Sequence, residues 1–264
     1  MFLPKSHSRT GQVRIEYINK LEISLLMQID SRLAELTGII LGDGHLHTKA
    51  NRITIVGSLD DKEYYEKVVI LLFNSVFNQK PTIAKRKDRN AYYLQLESKS
   101  IFEIFTKEIG LHRGSKDKAE VPEVMMFEKE LIFPLLRGLF DTDGCLKFSK
   151  QNTNKNYYPR IEFSFRESPL ARKIGELIKK SGFSYNTWKD NRFNGQLYYQ
   201  ISGKDNLNLW FQLIKPNNPV HITKYVLWKR DGFCLPKTSL AERLDRIKNN
   251  NNNPFSEINQ MQKK

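Results

Sequence analysis

LTGIILGDG occupies residues 36–44, and LRGLFDTDG occupies residues 136–144. Each is an apolar run with small residues four apart that ends in Asp-Gly, and the second lies 100 positions after the first. At helical spacing Gly38 and Gly42 share one face, and Gly138 and Thr142 occupy the matching positions. Small side chains there allow two helix backbones to approach closely. If the two helices pack through these faces, Asp43 and Asp143 emerge together at the same end. Neighbouring carboxylates repel unless a cation lies between them, and the free carbonyls of two helix C-termini add partial negative charge. Few hard oxygen donors suit Mg²⁺, which keeps waters and accepts phosphate oxygens as further ligands.

The elements around the two stretches repeat in the same order. After Asp43-Gly44 the alternation in HLHTKANRITIVGS reads as two short strands. A helix is expected from DDKEYYEKVVILLFNSVF, capped by Asp60 and burying Tyr64, Val68, Leu71 and Leu72. Two strands follow in PTIAKRKDRNAYYLQLES, turning near Arg89-Asn90, and then a helix that closes at Gly110. After Asp143-Gly144, Ile161, Phe163 and Phe165 alternate with Glu162, Ser164 and Arg166, which implies a sheet with one polar face. Ser168-Pro169 opens a helix ending at Gly182, Asn194-Gly195 marks a hairpin, and DNLNLWFQLI reads as the last helix. The fold class expected is α+β, as two pseudo-symmetric αββαββα halves.

The boundaries follow from composition. Residues 1–30 form an N-terminal extension with an expected helix from Arg14 to Ile29, 31–112 the first half, 113–130 a charged linker, 131–232 the second half, and 233–264 a polar tail. Lys and Arg number 43 against 29 Asp and Glu, a net charge of +14. A surplus of that size in a chain of ordinary apolar content points to a polyanionic partner, nucleic acid foremost, because neutralised phosphates release counterions. No apolar stretch approaches the roughly 20 residues of a membrane span, and the first thirty residues lack a secretory pattern. Cys145 and Cys234 are too few for a disulfide framework or a Cys-rich zinc site. An intracellular location is expected: a prokaryotic cytoplasm or, for an organelle-encoded chain, a mitochondrion or plastid.

The two stretches resemble the paired motifs of the LAGLIDADG homing endonucleases in their single-chain form. The likeness covers Leu33 to Gly232 and includes the order of elements. It implies a site-specific, Mg²⁺-dependent double-strand DNA endonuclease that hydrolyses phosphodiesters across the minor groove and leaves 3′ overhangs. It further implies a monomer and a Ca²⁺ form that binds without cutting. Asp43 and Asp143 then bind metal, helped by the carbonyls of Gly42 and Thr142, and Lys224 or Lys116 faces the scissile phosphates; Lys118 and Lys147 compete for that role. The two curved antiparallel sheets form a saddle along the major groove, with Arg52, Lys85, Arg86, Lys87 and Arg89 in the first half. Lys147, Arg160, Arg166, Lys189 and Arg192 are their counterparts in the second, with Tyr198 and Gln200 as further candidates.

Other readings remain beside these. One Asp-Gly is an ordinary turn signal; the matched pair is not. Asp141 lies about 200° around the helix from Asp143, so DTD does not form a metal clamp, and a local salt bridge is expected instead. His45 and His47 are read as DNA-contacting or exposed rather than as ligands, and Trp188, Trp210 and Trp228 as core or core-edge residues. The competing function is an intron RNA maturase or another non-cleaving nucleic-acid binder on the same scaffold. The chain begins MFLPK and ends NQMQKK without splice-junction residues, so an intron-encoded protein is expected rather than an intein.

Overall fold

In the computed structural model, residues 29–193 and 195–249 are described. The expected N-terminal helix before Ile29, Asn194 of the expected hairpin and the residues after Asn249 lie outside them. The first half runs α1 (Ser31–Gly42), β1 (Gly44–Leu46), β2 (Arg52–Ser58), α2 (Lys62–Tyr64), a π-helical turn (Tyr65–Val69), α3 (Ile70–Phe77), β3 (Thr82–Lys85), β4 (Ala91–Glu97) and α4 (Lys99–Glu103), which continues into a second π-helical turn (Ile104–Glu108). The second half repeats the plan with α5 (Lys129–Asp143), β5 (Gly144–Ser149), β6 (Tyr158–Arg166), α6 (Pro169–Lys180), β7 (Asn186–Asp190), β8 (Gln196–Ser202) and α7 (Lys204–Leu213). Two helices follow, α8 (Pro219–Asp231) and α9 (Leu240–Lys248). The sheets have corresponding orders, β1-β2-β4-β3 and β5-β6-β8-β7, and every pairing is antiparallel. The expected α+β repeat is therefore what the chain adopts.

The two motif helices form the centre of the molecule. Asp30 caps α1, its carboxylate accepting from the Arg32 and Leu33 amides at 2.9 and 3.0 Å. Residues Leu33 to Gly42 of α1 are all buried, as are Leu135, Leu136, Leu139 and Phe140 of α5. The glycines set the spacing: a Cβ on Gly38 would stand 2.1 Å from the Leu135 carbonyl oxygen, and one on Gly138 2.2 Å from that of Glu35. Neither contact is possible between real atoms, so only glycine allows this approach.

Three local expectations are corrected, and one helix is added. The helical segment after β2 begins with a capping box between Ser58 and Asp61, not with Asp60. Its buried side chains are Tyr64, Tyr65, Val69 and Phe73, while Leu71 is exposed. The π-turn has inserted a residue and rotated the apolar face away from the simple 3.6-residue register. The segment assigned to a polar tail from 233 folds back as far as Asn249. There Ser239 and Glu242 form a capping box, and Leu240 and Ile247 are buried. Helix α8, unassigned in the sequence, starts at Asn218-Pro219, where the Asn side chain accepts from the Val220 amide at 2.9 Å.

Candidate active site and nucleic-acid interface

The close approach of α1 and α5 continues to their C-termini, where a Cβ on Gly42 would collide with the Thr142 hydroxyl at 1.9 Å. That hydroxyl donates back to the Gly138 carbonyl at 2.9 Å, which keeps the Thr142 side chain compact. Asp43 and Asp143 follow directly, and each is half-buried. Burial, then the neighbouring charges of Asp143 and Asp61, raise the Asp43 carboxyl to about 8, with Lys116 acting in the opposite sense. Burial also raises the Asp143 carboxyl, again opposed by Lys116. Burial disfavours the charge of both carboxylates, and Asp143 adds to this at Asp43, so a hard cation beside them would be stabilising.

The Asp43 side has company that the Asp143 side lacks. The Tyr65 hydroxyl donates to Asp43 Oδ2 at 3.5 Å, and Asp43 and Asp61 in turn hold the Tyr65 phenol above its ordinary range, after burial. Asp61 accepts from the Ser58 amide at 2.8 Å and from the Asn218 amide group at 2.9 Å. Sequence reading missed Tyr65, Asp61 and Asn218. Only Asn218 left a signal, an Asn-Pro step that marks a helix start.

The two candidate lysines occupy different settings. Lys116, in a single 3₁₀ turn (Lys116–Lys118), interacts with both acids. Lys224, from α8, donates to the Leu146 carbonyl at 3.1 Å, and burial lowers its pKa. Lys118 lies in the same turn as Lys116, and Lys147 pairs with Glu162 on the sheet.

Asp141 makes no local salt bridge. It is 2% exposed and accepts from the Asn217 amide at 2.7 Å, while burial pushes its carboxyl well above the usual range. The loop before α8 covers it, which the helical wheel alone could not show. Beside it, buried Glu35 pairs with Arg137 at 2.8 Å and accepts from Asn217 Nδ2 at 2.9 Å. Asn218 Nδ2 donates both to the Asp141 carbonyl at 2.8 Å and to Asp61, so one side-chain amide ties the two halves together. Among the described residues no three His, Cys, Asp or Glu side chains form a metal-holding cluster.

The sheets present their polar faces away from the helices. In the first, Ile53, Ile55, Leu94 and Leu96 point inward, so Arg52, Thr54 and Gln95 point outward, with His45 opposite Thr54. In the second, Lys147 lies opposite Arg160, and Glu162, Ser164 and Arg166 pair with Gln200, Tyr198 and Gln196 on the outward face. Lys85 and Lys189 have the other parity, opposite Tyr92 and Leu197, and Lys189 reaches Glu167 at 2.7 Å. Arg86 and Arg89 flank Asp88 beyond β3 near exposed Lys87, and Arg192 pairs with Asp190 at 2.8 Å. His47 bonds to Thr54 at 3.0 Å. Trp210 and Trp228 are buried as expected, but Trp188 is 40% exposed on the polar face, stacked on Tyr198 with ring centroids 5.0 Å apart.

Comparison with known proteins agrees with this architecture. The family described as LAGLIDADG-like domain matches residues 130–215. Mesophilic variants of the homing endonuclease I-DmoI superpose with a TM-score of 0.50 at 17% identity, over 69% of this chain and 90% of theirs. I-DmoI in complex with DNA and Mn gives 0.50 at 16% identity, over 71% of this chain and 98% of that one. A DNA polymerase of Thermococcus kodakarensis is 22% identical over 243 residues, 85% of this chain but 13% of the polymerase. The chain thus corresponds to a small part of that protein.

Proposed function

We propose that this two-motif chain of the LAGLIDADG family is a site-specific DNA endonuclease that hydrolyses one phosphodiester in each strand across the minor groove and leaves 3′ overhangs. The observation that carries the reading is the pair Asp43 and Asp143, retained in both motifs and brought to adjoining helix ends by the Gly38 and Gly138 contacts. The donor set fits Mg²⁺: two half-buried carboxylates whose charge is disfavoured by burial, and at Asp43 also by Asp143, with the carbonyls of Gly42 and Thr142 just before them. When bound, the ion would stabilise charge at phosphorus and favour hydroxide. The chain's own residues do the rest. Lys116 supplies positive charge beside the acids, and Tyr65 orients the Asp43 carboxylate through its hydroxyl. The outward side chains of both sheets hold the duplex in register, with phosphate contacts positioning it and base-edge contacts specifying it.

Both acids come from one chain, so a monomer suffices. Several of the cations on and around the sheets are paired with surface carboxylates, as in Arg52–Glu97, Lys189–Glu167 and Arg192–Asp190. Exposed pairs of this kind contribute about 0–1 kcal/mol, so exchanging them for phosphates costs little. The test is selection of cleaved sequences from a random duplex library with Mg²⁺, repeated with Ca²⁺ to trap bound sites. Recovery of one long cut site supports the reading. Tight binding to a structured intron RNA with no duplex cleavage would replace it with the maturase function.

A further inference from the structure

On the outward face of the second sheet the rings of Trp188 and Tyr198 stack 1° from parallel, and Trp188 is 40% exposed. Register places Ser164 beside them, so one row crosses β6, β8 and β7 as Ser164, Tyr198 and Trp188. The first sheet has the same row. Ile55 lies opposite Gly44 as Phe163 lies opposite Gly144, so the next residues, Val56 and Ser164, correspond. From Val56 the first row runs through Tyr93 to Ala84, across β2, β4 and β3. Each row therefore centres on a tyrosine, flanked by Trp188 in one half and by Val56 and Ala84 in the other. Val56 and Ala84 carry no polar side-chain atom, and the Ser164 hydroxyl already accepts from Gln196 Nε2 at 3.1 Å. The neighbouring positions are polar: Gln200 and Asn186 on one side of the second row, Gln196 and Asp190 on the other. An apolar strip this narrow is far smaller than the roughly 800 Å² that a stable protein partner covers. Trp188 is also remote from the acids, because β7 stands three strand spacings, about 14 Å, from the β5 strand that follows Asp143.

We propose that the two rows are a pair of methyl-reading contacts, each recognising the C5-methyl group of a pyrimidine, thymine foremost, at matching places in the two halves of a bound duplex. The assignment rests on the duplex binding proposed above but not on cleavage. A base pair offers its major-groove edge as hydrogen-bond donors and acceptors and, in thymine, as one apolar methyl group. Apart from the tyrosine hydroxyls, the rows present apolar surface, which gains from covering a methyl and cannot sort donor patterns. The polar positions on either side of Trp188 and Tyr198 confine that contact to one base step or its neighbour. 5-Methylcytosine carries the same group and is the other source of it.

The test reads binding. Duplexes held by the full-length chain in Ca²⁺ are selected from a random library, and a fixed thymine is expected in each half of the selected site. Replacing either thymine with uracil removes only the methyl group and should weaken binding about fourfold. Trp188→Gln should abolish that penalty in the second half and leave the other intact, whereas Trp188→Phe should retain both. Trp188 is exposed on an edge strand, so neither change disturbs the core; Tyr93→Gln is the matching test of the first half. Cytosine and 5-methylcytosine at the same position separate the two sources: recovery with 5-methylcytosine shows that the methyl alone is read, and discrimination against it assigns the contact to thymine. A selected site without fixed thymines, uracil accepted at full affinity, or a penalty unchanged in Trp188→Gln overturns the proposal. Cleavage of one site that tolerates uracil would leave the endonuclease reading standing without it. Methyl-dependent binding with no cleavage would do the reverse.

Discussion

On the proposed function, Asp43 concentrates the chemistry of the site in one side chain. Its carboxyl, raised to about 8 by burial and by Asp143 and Asp61, still holds a proton in the metal-free folded chain at pH values where the unfolded chain has lost it. That contribution to stability is fully present below the ordinary value of 3.8 and is lost as the pH rises through about 8. The difference in melting temperature between wild type and Asp43→Asn should therefore shift in favour of the variant from pH 5 to pH 8. A divalent cation bound as proposed would compete with the same proton, so Ca²⁺ affinity measured by calorimetry should rise up to about tenfold per pH unit towards pH 8 and level off above it. A flat profile would count against Asp43 as a ligand. In turnover, Asp43→Asn or Asp143→Asn should lower Mg²⁺-dependent cleavage by at least about 100-fold while duplex binding in Ca²⁺ largely survives. Normal cutting by the double variant would remove both residues from the mechanism.

At the scale of elements, the helix pair makes the sharpest demand on sequence. Gly38→Ala forces a methyl group into the Leu135 carbonyl, and two packed backbones must separate to admit it. A loss of about 3 kcal/mol is expected from urea denaturation. Gly110→Ala is the control: its φ of 89° is unfavourable for alanine but nothing lies within 4 Å, so about 1–2 kcal/mol should be lost there. A Gly38→Ala cost no greater than that of Gly110→Ala would mean that the helix pair separates easily and that the close contact is not what requires glycine. This interface was legible in the sequence because small residues four apart, an apolar run and a terminal acid are all local signals. The succession of elements along the chain and the inward pattern of Ile161, Phe163 and Phe165 were legible for the same reason. The π-turn was not, since an inserted residue leaves no mark in composition, and it misassigned Leu71 to the core. Lys85 and Lys189 were grouped with the outward cations because strand parity depends on registers that only pairing fixes. The environment of Asp141 required knowing that the loop before α8 folds over it.

For the whole molecule, the question is what keeps the two halves in one register beyond the packing of their motif helices. Asn218 is the most economical answer. Its carboxamide nitrogen bridges Asp61 of the first half and the Asp141 carbonyl of the second, and its oxygen caps α8 through Val220. Asn218 is 1% exposed, so water cannot readily replace it. Asn218→Ala removes all three bonds and leaves a carboxylate oxygen and a carbonyl without this donor. A cost of about 3–4 kcal/mol is expected, the sum of a lost cap and unsatisfied buried acceptors. Asn218→Ser separates the two contributions, because the hydroxyl still caps the helix but is too short to span both halves. It should recover only about 1 kcal/mol of the loss in urea denaturation with an unchanged m-value. Cleavage by the serine variant should fall as well, since Asp61 would no longer be anchored beside Tyr65 and Asp43. Full recovery of stability and cleavage by serine would reduce Asn218 to a helix cap and leave the helix pair alone to align the two acids.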